Sequence, residues 1–261
     1  MIPGALGFLW LIIWRWLYYA PQEHPRISAA ELNLIVADRS QPELEQSAPA
    51  RTPWLDLLKL RQTWGTIISK TFTDPVWFFV ADWFPIYLVA KGIELKSGLI
   101  AVWIPFVAAD LGNFFGGAVS GYLVKRGWPV IAARKAVIVF GGFGVMLLIP
   151  TVLTTNLYAI TLLFALSTFA YGSYTTMANV LPADLFPTQS VASVSGLSGT
   201  GAGIGTIIAF ELIGRLTDAR AASAIHSFDP ILIIAGVVPF IGMILVLLLI
   251  PNRANEEQSL N

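Results

Sequence analysis

Gly112-Asn-Phe-Phe-Gly-Gly-Ala-Val-Ser-Gly-Tyr-Leu-Val-Lys-Arg-Gly-Trp-Pro-Val-Ile-Ala-Ala-Arg-Lys135 is the stretch whose reading decides the fold. It reads as the end of one apolar helix, a short basic turn and the start of the next. Gly112 and Gly116 are four residues apart, as are Gly117 and Gly121. In an apolar helix that spacing opens a smooth groove in which a second backbone can come close. The groove runs into Lys125, Arg126, Arg134 and Lys135 with no acid among them. A positive cluster between two spanning helices belongs on the cytoplasmic side. The stretch therefore predicts a tightly packed membrane bundle and an orientation for it.

Working outward, the composition agrees. Of 261 residues, 56% are hydrophobic and 12% charged, with mean hydropathy +0.69. That charge content is about half of what soluble domains carry. Net charge is zero, so no overall field calls for nucleic acid. With no cysteine, disulfides, thiol catalysis and thiolate metal sites are excluded. His24 and His226 lie in separate polar connections, which speaks against a histidine metal pair. The residues form no nucleophile–base set and no phosphate loop with a lysine. The reading is of a non-enzyme with no cofactor and no metal.

Residues 2–19 form an apolar run ending in Trp14-Arg-Trp-Leu-Tyr-Tyr19, an aromatic and basic boundary of the kind found at a membrane surface. It has no basic leader or cleavage site, so no removed signal is expected, and Met1 reads as lying inside a hydrophobic helix. Residues 20–65 are polar and proline-punctuated. Ser28-Ala-Ala-Glu31 has the form of a capping box for a helix to about Val36. Around Trp54–Arg61 the apolar residues share one helical face, which predicts an amphipathic helix on the membrane surface. Six long apolar segments follow, at about 67–90, 98–124, 133–153, 157–181, 189–213 and 230–250, each long enough to cross a bilayer. The fold class is thus an all-α membrane bundle of six helices (66–251), preceded by a partial helix (1–19) and a loop (20–65), with a tail over 252–261.

Basic residues set the expected orientation. Arg26, Arg39, Arg51, Lys59, Arg61, Lys70, Lys125, Arg126, Arg134, Lys135 and Arg253 fall on one side, against Lys91, Lys96, Arg215 and Arg220 on the other. The 20–65 loop and the C-terminus are expected in the cytoplasm.

Charges within spanning helices are costly, so Asp82, Asp110 and Glu211 stand out. Trp103, Phe106, Asp110, Asn113, Gly117 and Gly121 share one helix face, suited either to a wet cavity wall or to a tight helix contact. Asp110 reads either as a solute- or proton-handling group or as a buried carboxylate accepting hydrogen bonds. Asp82 precedes Pro85 by three residues, where freed carbonyls bend a helix; its alternative is a solvated position near the outer surface. Glu211 is expected near that surface, and Asp74, before Pro75, as an N-terminal cap. Ser167, Tyr171 and Tyr174 line one face, with Thr175 and Asn179 beyond, offering rings and hydroxyls to a sugar-like ligand or bonds to neighbouring helices. Ser195-Gly-Leu-Ser-Gly-Thr-Gly-Ala-Gly-Ile-Gly205 permits close crossing and bending. The candidate solute-binding positions are Asp82, Tyr87, Asp110, Asn113, Tyr171, Tyr174 and Ser198.

A set of motifs in fixed order points to a family. They are Gly-Ala-Leu-Gly-Phe-Leu-Trp10, Pro21-Gln-Glu-His-Pro-Arg-Ile-Ser-Ala-Ala-Glu31, Thr73-Asp-Pro-Val-Trp77 with Phe84-Pro-Ile-Tyr-Leu88, Ala108-Ala-Asp-Leu-Gly-Asn113, Arg126-Gly-Trp128 with Ala133-Arg-Lys135, and Leu181-Pro-Ala-Asp-Leu-Phe-Pro187. Over about 1–250 the chain resembles the anion:cation symporter branch of the major facilitator superfamily, near its hexuronate transporters. The resemblance implies two six-helix halves with solute between them. It aligns the first helix here with the family's sixth and the next six with its seventh to twelfth. It also implies sugar-acid or similar organic-anion substrates, proton symport and the bacterial inner membrane. Where the family often has an aspartate after its eighth helix, this chain has Gly121, so that gating contact is not expected. The family's other half carries acidic groups tied to proton coupling, and a matching N-terminal half is the expected partner. The reading from another class is a non-transporting membrane protein that packs with a separate carrier.

Overall fold

The computed structural model describes residues 2–19, 23–33, 53–92, 95–219 and 228–252. Two units emerge, Met1–Ala50 and Arg51–Asn261. In the first unit, α1 covers Ile2–Leu17 and ends with Arg15 in its last turn. At 1.5 Å per residue it is about 24 Å long, short of the ~30 Å hydrocarbon core. Trp10, Trp14 and Tyr18 stack along it, with centroids 6.2 and 4.6 Å apart. The Glu31 N–H donates to Ser28 Oγ at 3.2 Å, which starts a helical turn over 29–33 as the capping box predicts. The remainder of that helix to Val36, together with Arg39, Arg51, Arg220, His226, Arg253 and most of the C-terminal tail, lies outside the described residues.

The second unit is the bundle. Its elements are the single turn α2 (Trp54–Leu57), α3 (Arg61–Phe78), a π-helical turn (Phe79–Trp83) and α4 (Phe84–Ala90). Then come α5 (Leu95–Lys125), α6 (Val130–Val145) with a 3-10 continuation (Met146–Leu153), α7 (Leu157–Leu185), α8 (Thr188–Ala219) and α9 (Asp229–Leu249). Among the described residues, five helices are long and apolar enough to span a membrane, namely those of α5 to α9. The expected sixth, α3 to α4, is as continuous but carries Lys70, Asp74 and Asp82. Because α7, α8 and α9 pack around it, it needs less apolarity than a lipid-facing helix.

Two corrections concern its start. The rod begins at Arg61 rather than near 67. The surface helix expected over Trp54–Arg61 is a single turn, because Lys59 and Leu60 bond back to Asp56 and Leu57 and end it. Leu57 then drops into the core while Trp54 and Leu55 stay exposed.

α7 packs on α5 and α6, and α3 packs on α8 and α9; α9 against α6 and its 3-10 continuation, together with α3 against α7, joins the two groups. The α5–α7 crossing depends on small residues. A methyl on Gly112 would overlap the Phe169 carbonyl, one on Gly172 the Ala109 carbonyl, and one on Gly116 would sit 2.8 Å from the Ser173 oxygen. Ser173 Oγ bonds the Gly112 carbonyl at 3.0 Å across this contact. Gly117 and Gly121 have open space instead. The groove read from the sequence thus splits: its first pair packs a helix and its second pair faces outward.

The basic turn is built as its residues require. Gly127 has φ +88°, Gly127 N–H donates to Val124 O at 2.9 Å and Trp128 N–H to Leu123 O at 3.1 Å. This double bond around a left-handed glycine closes α5, and Pro129 precedes α6. Lys125 and Arg126 remain exposed. Arg134 bonds Asp184 Oδ2 at 2.9 Å and Ser120 Oγ at 2.7 Å, tying α5, α6 and α7. Lys135 donates to the Leu247 and Ile250 carbonyls and to Asn252 Oδ1, and Arg61 donates to the Leu248 carbonyl. Two cations thereby cap the carbonyl end of α9.

Candidate solute site

Two apolar cores fill the bundle, one around Phe79, Phe84, Tyr87 and Phe164, the other around Ile138, Met177, Leu181 and Val246. They adjoin at Tyr171 and Tyr174, which belong to one core each and are a turn apart on α7. At that level α3 presents Ser69, Lys70, Thr73, Asp74 and Trp77. The i, i+4 spacing of Lys70 and Asp74 brings Lys70 Nζ to 3.1 Å from Asp74 Oδ2, and Lys70 also donates to Asn179 Oδ1 of α7 at 2.9 Å. The pair sits in a half-open position, with 18% and 16% of the two side chains accessible. Trp77 stacks on Tyr171 (5.8 Å, 11°) and meets Phe106 of α5 edge-on at 5.3 Å. Thr176 donates to Asn113 Oδ1 of α5 at 2.9 Å. The result is a wall of three helices with a tethered cation, a carboxylate, amides, hydroxyls and flat aromatic faces at one level.

Asp74 is not a helix cap, correcting the sequence-based assignment. It lies deep in α3, which continues through Pro75. The Thr71 carbonyl, which Pro75 cannot bond, instead faces Gly205 of α8 so closely that a side chain there would overlap it. Lys70, likewise, belongs to the bundle interior and not to the basic loop.

The other anticipated residues scatter. Asn113 and Asp110 lie on the exposed face of α5, Asn113 within the wall and Asp110 one turn before it. Tyr171 and Tyr174 are buried at the back of the wall, and Ser69 Oγ reaches the Tyr174 hydroxyl at 3.4 Å. Tyr87 is fully buried, its hydroxyl donating to the Thr151 carbonyl at 3.2 Å. Ser198 is buried and bonds the Val194 carbonyl within its own helix. Asp82 is exposed on the π turn, away from the core. Glu211 is exposed and paired with Arg215 at 2.7 Å. A cavity of about 320 Å³ lies elsewhere, between α3, α8 and α9. Its lining of Pro75, Val76, Phe79, Ile208, Leu212 and Ile231 is apolar and offers a polar solute nothing. Among the described residues, no cluster of ligating side chains could hold a metal.

Helices of this length, packed in two groups of three through close glycine crossings, invite comparison with known membrane carriers. Residues 1–210 and 132–261 match the family model described as Major Facilitator Superfamily. The chain belongs to the major facilitator superfamily. Curated relatives within it include the "Probable galactarate/D-glucarate transporter GarP" of Escherichia coli (strain K12), 32% identical over 98% of this chain and 58% of that protein. The "Hexuronate transporter" of the same strain is 25% identical over the same shares, and the "D-galactonate transporter" of Escherichia coli O6:H1 is 29% identical over 96% and 58%. The chain spans 58% of the length of these relatives. They are superfamily transporters named for sugar acids, so the chain is a hexuronate-transporter-like, multi-pass membrane protein of a family of carriers, not enzymes.

Proposed function

We propose that the bundle is the C-terminal half of a proton-coupled sugar-acid transporter and that the α3–α5–α7 wall is its solute-facing surface. The observation that carries the reading is Lys70. A cation held at the meeting point of two apolar cores, half open beside the Trp77 and Tyr171 rings, offers a carboxylate a charged partner and a pyranose or polyol a stacking face. Transporters of this fold bind solute near mid-membrane between two halves, by rocking one bundle against the other. This bundle supplies one wall, and a second six-helix half supplies the other. The relatives' names support sugar acids as the solute class. The basic end, with Lys125 and Arg126 exposed, faces the cytoplasm together with the C-terminus, and the membrane is the bacterial inner membrane.

The test is uptake of labelled galacturonate into vesicles across a pH gradient. The chain with a matching N-terminal half should accumulate solute, and the chain alone should not. Accumulation by the chain alone would remove the half-transporter reading. Failure of the assembled pair with galacturonate, glucuronate and galactarate alike would remove the sugar-acid reading.

A further inference from the structure

We propose that Asp74 takes up the proton that accompanies a solute carboxylate, giving up the Lys70 ammonium as it does so. This deepens the sugar-acid reading and rests on it.

The geometry of the pair carries the inference. Lys70 has three donors; two are directed to Asp74 Oδ2 and Asn179 Oδ1, and the side chain remains partly accessible for a third acceptor. Asp74 has a one-sided environment. Its Oδ2 is held by Lys70, while Oδ1 is buried and accepts no hydrogen bond among the described residues. The ionised form therefore depends on Lys70 alone.

Among the described residues, the neighbouring elements place no second cation at this level. On α7, Tyr171 and Tyr174 are buried, and the acid Asp184 near the helix end is paired with Arg134. On α8, the charged residues Glu211, Arg215 and Asp218 are confined to the last third of the helix, and α9 carries Asp229 at its first residue. On α5, Asp110 occupies the exposed face. On α3 itself, Lys70 is the only cation of the turn before Asp74.

Charge conservation then sets the step. Lys70 and Asp74 together are neutral. A solute carboxylate arriving at Lys70 adds one negative charge beside Asp74, and like charges at this separation away from bulk water disfavour joint ionisation. One proton from the bulk solution, supplied by buffer through the half-open side of the pair, binds the Asp74 carboxylate. The carboxyl becomes neutral, the Lys70 ammonium passes to the solute, and the site is neutral again. Release of solute reverses each transfer.

The test uses the assembled pair from the uptake assay. Galacturonate is titrated calorimetrically in two buffers of different ionisation enthalpy, which reports protons taken up per solute bound. The parent should take up protons on binding galacturonate, and Glu211→Gln, which alters an exposed pair outside the wall, should take up the same number. Asp74→Asn, which mimics the protonated carboxyl, should bind galacturonate with close to one linked proton fewer than the parent. Lys70→Gln should lose affinity by roughly tenfold to a hundredfold, as expected for a hydrogen bond between charged groups. Parent-like proton uptake in Asp74→Asn would overturn the assignment while leaving the sugar-acid reading in place. Absence of galacturonate binding by the parent would overturn both. A second readout does not depend on any variant folding: infrared difference spectra of the parent with ¹³C-labelled galacturonate should show a protonated protein carboxyl appearing on binding. Absence of that band in the parent would also overturn the proposal.

Discussion

One substitution made at two glycines of the opening stretch separates packing from exposure. At Gly112 an alanine methyl would overlap the Phe169 carbonyl oxygen, so α5 and α7 must move apart. Separation weakens the Ser173 to Gly112 bond, worth ~0.5–1.5 kcal/mol. Overpacking of this kind costs ~1–3 kcal/mol, offset in part by the ~1 kcal/mol that alanine gains over glycine in a helix. Gly112→Ala should therefore destabilise the bundle by up to about 2 kcal/mol. At Gly117 nothing lies within 4 Å of the new methyl, and only the helix-propensity gain remains. Gly117→Ala should stabilise the chain by about 0.5–1 kcal/mol. The assay is reversible unfolding of the purified chain in lipid–detergent mixtures, followed by far-ultraviolet circular dichroism. Shifts of the same sign and size at the two positions would refute the split groove.

Two further outcomes follow from the same structure. Lys135→Met should leave the last carbonyls of α9 without their charged donor and lower stability by about 1.5–3 kcal/mol, whereas Lys125→Met, at an exposed position, should change it little; the same unfolding assay compares them. A reporter fused after Arg253 should be active in the cytoplasm, and activity on the opposite side of the membrane would reverse the proposed orientation.

Much of the architecture was legible because its signals are local. The spans follow from apolar run length, the turn after α5 from Gly127 and Pro129, and the α5–α7 crossing from Gly112 and Gly116. Where the reading failed, tertiary contacts override a local cue. Asp74-Pro75 reads as a helix start because proline disfavours helical geometry in the residue before it. In the bundle, the closely packed Gly205 covers the carbonyl that Pro75 leaves unbonded, and α3 runs on from Arg61. Lys70 counts among the basic residues that set orientation, which draws attention away from its i, i+4 partner within the 67–90 run. On that run Lys70, Asp74 and Trp77 share one helical face. The hydroxyls of Tyr87 and Ser198 bond the Thr151 and Val194 carbonyls inside the core, which periodicity does not reveal. Phe106 and Asn113, which share one helix face by their spacing, meet Trp77 of α3 and Thr176 of α7.

The central claim is that the α3–α5–α7 wall faces the solute, and the absence of native cysteine allows a direct measurement. Single cysteines at Asn113, on the wall, and at Phe143, exposed on the apolar surface of α6, can be exposed to a membrane-impermeant thiol reagent in the assembled pair. Asn113→Cys should react, and galacturonate but not galactose should protect it; Phe143→Cys, facing lipid, should not react. An Asn113→Cys that is inert, or that reacts at the same rate with and without galacturonate, would contradict the placement of the solute against this wall.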